Sequence, residues 1–134
     1  MFGGTFRPGN CSWDYGSFEP LFWEHVERRI GQLRELGVIA EIILFHPYDG
    51  GHWGFDEMNQ HCDVKGGGTG NWCDQNYLRY AVKRLSAYRN VWWSMANEFD
   101  VMKSKTTQDW DALFQTLQSS DPYNKERSIH NCMR

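Results

Sequence analysis

Two apolar runs of strand length limit what this chain can fold into: Val38-Ile39-Ala40-Glu41-Ile42-Ile43-Leu44-Phe45 and Val91-Trp92-Trp93-Ser94-Met95-Ala96. Runs this continuous leave little room for a wet face, and imply strands buried on both sides in a parallel sheet covered by helices. Each ends in polar residues, His46-Pro47-Tyr48-Asp49 after the first and Asn97-Glu98 after the second. A carboxylate just past a core strand has a plain reading as a solvated acid. It has a functional one if the neighbouring strand ends converge on it.

The segments around these runs are helical in pattern. Phe22, Val26, Ile30, Leu33 and Leu36 recur at helical spacing, with Glu24, Glu27, Arg28, Arg34 and Glu35 between them. Ser17 or Glu19 is placed to cap this helix, Pro20 suits its first turn, and Gly37 suits its end. Tyr77, Leu78, Ala81, Val82 and Leu85 form a second stripe, with Asp74 as its expected cap. Trp110, Leu113, Phe114 and Leu117 form a third, capped by Thr106 or Thr107. The stretch from Ser119 to Asn124 breaks that helix, and Arg127-Ser128-Ile129-His130-Asn131-Cys132 reads as a short strand. Residues 1–17 hold Gly, Pro, Asn and Ser without a sustained period and read as a loop, so residues 18–134 carry the helix-strand repeats of a single domain.

Alternation of this kind implies βαβ units in an α/β fold. An open nucleotide-binding sheet needs a Gly-rich turn between a strand and its helix. Gly66-Gly67-Gly68 instead sits in mid-loop. Polar residues at successive strand ends fit a (β/α)8 barrel, whose reactive face is built from those ends. A complete barrel takes roughly 250 residues. At 134 residues the chain is expected to form part of one.

Composition narrows the partners. The aromatic fraction is 16% with seven Trp, which suits sugar-stacking clefts as well as large cores. The net charge is −3 and the longest basic cluster is Arg28-Arg29, so no footprint for nucleic acid is present. No apolar run has bilayer-spanning length, and Met1-Phe2-Gly3-Gly4-Thr5 lacks a signal-peptide profile. Cys62 and Cys73 bracket a Gly-rich segment that a disulfide would usefully close, while free thiols fit equally well. His61, Cys62 and Cys73 lack the spacing of a zinc finger, and no metal set is expected.

Tyr88-Arg89-Asn90-Val91-Trp92-Trp93-Ser94-Met95-Ala96-Asn97-Glu98-Phe99-Asp100 resembles the fourth strand of clan A glycoside hydrolases, and most closely their apiosidase-like branch. Ile42 to Asp49 is similar to that branch's third strand and following loop, and Arg127 to Cys132 to its fifth. The resemblance runs from about Phe18 onward. It implies a partial TIM barrel, a carbohydrate substrate and no cofactor. It also implies Glu98 as general acid/base and Asn97 as partner of a sugar 2-hydroxyl. His46, Tyr48, Asp49, His130 and Asn131 would line the cleft.

Bland roles stand beside these. His46 before Pro47 could end the strand, His130 and Asn131 could be structural or merely exposed, and the loop holding Tyr48, Asp49, His52 and Trp53 could pack on itself. Trp92 and Trp93, on opposite faces of one strand, both read as core. A retaining glycosidase also needs a second carboxylate about 5–5.5 Å from the first. In clan A it ends the seventh strand, and nothing here matches it. On this reading the chain alone is inactive, and its unpaired strand edges favour self-association. A non-catalytic carbohydrate-binding or interaction module is the alternative.

Overall fold

The computed structural model describes residues 2–7, 10–48 and 72–132, with side chains described for 17–48 and 73–132. In chain order the elements are β1 (Phe2–Arg7), β2 (Asn10–Phe18), α1 (Pro20–Glu35), β3 (Ala40–Phe45), α2 (Trp72–Leu85), β4 (Val91–Ala96), a single 3-10 turn (Phe99–Val101), α3 (Thr107–Ser120) and β5 (Arg127–Ser128). Strands β3, β4 and β5 form a parallel sheet in that order, with Ala40 beside Val91, Phe45 beside Ala96, and Ser94 beside Ser128. The α/β alternation expected from the sequence is therefore present. No helix among the described residues is long and apolar enough to cross a membrane.

Residues 2–18 depart from the expected loop. β1 and β2 pair antiparallel, with Gly4 opposite Trp13 and Arg7 opposite Asn10. Neither strand carries a clear apolar–polar alternation, β1 because Gly3 and Gly4 interrupt it, so pairing rather than local pattern defines them. Phe18 ends this hairpin and stacks on Tyr80 of α2 at 3.9 Å between ring centroids, which ties the hairpin to the helical layer.

Helix α1 begins as its sequence suggests. Glu19 is the cap, its side chain accepts from the Leu21 N–H, and Pro20 follows it. Gly37 takes φ +72°, where a side chain would be strained. The start of α2 differs from expectation: Asp74 lies inside the first turn rather than at the cap, and is fully buried. Its carboxylate pairs with Lys105 at 2.7 Å, and both side chains are almost wholly removed from solvent. Thr106 caps α3 in a reciprocal capping box, receiving the Asp109 N–H while the Asp109 carboxylate accepts from Thr106 N–H. Replacing Thr106 by alanine is expected to cost about 1 kcal/mol, read as a lowered midpoint in urea unfolding.

One face of the sheet carries the core. Leu44, Val91, Trp93 and Met95 pack with Leu78, Leu85, Leu113 and Leu117 of the helices. The Trp93 Nε1–H donates to Asp121 at 3.0 Å, and the Asp121 carboxylate also receives the N–H groups of Tyr123 and Lys125. That one buried acid fixes the turn leading into β5. Asn90 does the same below β4, donating to the carbonyls of Ile30 and Val38.

The opposite face corrects two expectations. Both faces of β3 and β4 were expected to be covered, yet Ile43 is 47% exposed and Trp92 44% exposed, and Glu41 is exposed as well. Trp93 is core, but Trp92 is not. Strand β5 is also shorter than the run Arg127–Cys132, because ladder pairing stops at Ser128. Individual bonds nevertheless continue beyond it.

Candidate active site

Parallel strands deliver their C-terminal ends to one edge, and here backbone bonds stitch those ends together past the last strand residues. The Asn97 N–H donates to the Phe45 carbonyl at 3.0 Å, placing Asn97 next to the end of β3 and His46. His130 N–H donates to the Ala96 carbonyl and the His130 carbonyl accepts from Phe99 N–H, both at 2.9 Å. Asp100 Oδ1 accepts from Cys132 N–H at 2.8 Å. His46, Asn97, Glu98 and His130 therefore sit on three adjacent strand ends.

Glu98 is the unusual member. Its backbone is left-handed, with φ 46° and ψ 55°, and it caps the 3-10 turn without a side-chain bond to it. A non-glycine residue in this region costs about 1–2 kcal/mol, and such strain gathers at functional positions. Its Oε2 is buried with no hydrogen-bond partner among the described residues. Beside it, Phe99 stands edge-on to Trp110, which in turn stands edge-on to Phe45, so an aromatic wall runs beneath the strand ends.

The remaining sequence candidates are placed as follows. His46 and Asn97 are half-buried, as is His130, whereas Tyr48 and Asn131 are exposed. Asp49, His52, Trp53 and Cys62 lie outside the described residues. Cys73 takes part in a disulfide, while Cys132 is a free thiol. No group of three or more His, Cys, Asp or Glu among the described residues is arranged to hold a metal ion.

Two features were not read from the sequence. Glu41, embedded in an apolar run, turns onto the bare face of the sheet and meets β5. Its Oε1 accepts from Ser128 Oγ at 2.9 Å and lies 3.3 Å from His130 Nε2. The signal was present, since a lone acid within an otherwise apolar strand demands a polar destination. The second is the Asp74–Lys105 pair. Lys105 Nζ also lies 5.4 Å from the centroid of the Phe45 ring. Tyr77, donating to the Leu44 carbonyl at 3.0 Å, has its hydroxyl held above its ordinary range by burial and then by the nearby Asp74 charge. These contacts bolt the segment after Glu98 to α2 and to the end of β3.

No protein-family model matches the chain, and no curated protein matches it. Among solved structures it is similar to a putative glycoside hydrolase from Bacteroides vulgatus ATCC 8482, with a TM-score of 0.82 and 43% sequence identity. The likeness covers 98% of this chain and 25% of the Bacteroides chain. The chain thus spans about a quarter of the length of the protein it matches.

Proposed function

We propose that this chain is the acid/base-bearing part of a retaining glycoside hydrolase of the clan A, apiosidase-like type. In this reading the parallel sheet belongs to a (β/α)8 barrel. The observation that carries it is Glu98: a strained, left-handed residue at a strand end, with a buried carboxylate oxygen that has no hydrogen-bond partner among the described residues. The 43% identity to the Bacteroides vulgatus protein supports the same reading.

Glu98 protonates the glycosidic oxygen as the bond to the anomeric carbon breaks, then takes a proton from the water that releases the sugar. Asn97 offers an amide that both donates to and accepts from a sugar hydroxyl. His46, Tyr48, Asp49, His130 and Asn131 bind substrate. The nucleophilic carboxylate comes from outside the residues matched here. The chemistry calls on no cofactor.

The test uses the full-length protein on a panel of 4-nitrophenyl glycosides and on oligosaccharides. Cleavage by the wild type, loss in Glu98→Ala, and recovery of that variant by added azide on an activated substrate support the assignment. Oligosaccharide binding without cleavage would favour a carbohydrate-binding module instead.

A further inference from the structure

We propose that Glu41 is a positioning residue. It holds the His130 imidazole with Nε2 turned toward the sheet's open face, so that Nδ1 is the nitrogen left to meet a sugar hydroxyl. The second half of this inference rests on the glycosidase reading. The first half does not.

The placement follows from strand parity and register. Glu41 lies beside Trp92, and Ser94 beside Ser128, across the parallel ladders. Ile129 packs against the core, so Ser128 and His130 on either side of it turn to the other face. The Glu41 side chain therefore crosses β4 to reach a strand two places away, and one oxygen serves both Ser128 Oγ and His130 Nε2. A charged residue inside an apolar strand gains nothing for the core. Here it ties the outer strands of the sheet together across the middle one.

His130 is held twice. Its backbone is bonded to Ala96 and Phe99, the residues flanking Asn97 and Glu98. Its imidazole faces a carboxylate at 3.3 Å. A carboxylate beside Nε2 favours the neutral tautomer that carries its proton there, which leaves Nδ1 as an acceptor. The Ser128 hydroxyl keeps the carboxylate in place, in the way that outer partners orient the groups that touch a ligand. Glu41 thus acts on a substrate through His130.

The experiment is 15N NMR of the His130 ring in the full-length protein, at a pH where the imidazole is neutral, with steady-state kinetics on the best substrate of the panel. Wild type, Glu41→Gln, Glu41→Ala and Ser128→Ala are compared, with melting temperatures to show that each variant is folded. Wild type is expected to show protonated Nε2 and unprotonated Nδ1. Glu41→Ala is expected to show mixed tautomers and a KM raised roughly five- to tenfold with kcat little changed, the pattern of a lost binding contact. Ser128→Ala, which keeps the carboxylate, should fall between, and Glu41→Gln, which can present an amide N–H to the ring, should shift the proton to Nδ1. An unchanged ring signature in Glu41→Ala overturns the inference whatever the activity. A changed signature with unchanged KM overturns its functional half and leaves Glu41 a structural tie. A wild-type protein that cleaves no glycoside but shows the Glu41-dependent signature would sink the glycosidase reading alone.

Discussion

Replacing Glu98 by glutamine is expected to lower kcat/KM on a glycoside with a poor leaving group by about 10²- to 10⁴-fold, the range that a positioned proton donor contributes. A 2,4-dinitrophenyl glycoside, whose leaving group needs no proton, should lose far less in the bond-breaking step. Glutamine preserves size and shape, so a difference between the two substrates isolates the proton. Equal rates for wild type and variant on both substrates would remove Glu98 from the mechanism. The backbone supplies a separate measurement. With φ 46° at Glu98, glycine relieves a left-handed conformation and also removes a buried oxygen that has no hydrogen-bond partner among the described residues. Glu98→Gly is therefore expected to unfold at higher urea, by about 1 kcal/mol, while losing activity. Stability gained as function is lost marks a residue kept for chemistry. A Glu98→Gly variant less stable than wild type would show the position to be structural.

Lys105→Met is expected to destabilise the fold by about 3–5 kcal/mol, because it leaves the Asp74 carboxylate buried without its ammonium. The pair is 2.7 Å apart, and the side chains are 2% and 0% exposed, so water can do little to compensate. Asp74→Leu alone should cost a similar amount by taking the carboxylate away from the buried Lys105 ammonium. The double variant, with neither charge, should recover most of the loss, since apolar replacement of a whole buried pair is often nearly neutral. Urea denaturation of the four proteins closes the cycle. Additive losses in the double variant would show that the two groups act independently. Added salt should change the coupling little, because screening acts mainly on exposed charges.

Parts of this architecture are legible in the sequence because they are local. The stripe of Val26, Ile30 and Leu33, Pro20 after Glu19, and Thr106 three residues before Asp109 each state their structure within a few residues, whereas at the start of α1 it is Trp23 and not Phe22 that is buried. The order of helices and strands needs only their periodicities. What escaped was non-local. The β1–β2 hairpin is built from strands without a steady alternation, whose partners, not their patterns, make them strands. Its one local hint is the Pro8-Gly9 dipeptide, a turn signal between two otherwise featureless runs. Trp92 and Ile43 look like core by composition, yet the described residues leave them 44% and 47% exposed. Asp74 had the residue type and place of a helix cap, but its partner lies 31 residues further along, at Lys105. In the candidate site, the polar strand ends were visible as soon as the strands were. The tie from Glu41 to His130 depends on which face each residue takes and on β4 lying between their strands.

The bonds from Asn97 to Phe45, from His130 to Ala96 and from Phe99 to His130 prolong the ladder beyond the strands. The residues nearest Glu98 accordingly belong to the same cooperative unfolding unit as the sheet, rather than to loops that open on their own. Their backbone is already ordered before a ligand arrives, so binding has little left to freeze there. The same rigidity restricts adaptation. A change at Asn97 or His130 has to be absorbed by the sheet, whereas exposed Tyr48 can vary without disturbing any of these bonds. Under the glycosidase reading proposed above, changed substrate preferences are therefore more accessible through Tyr48 than through Asn97 or His130.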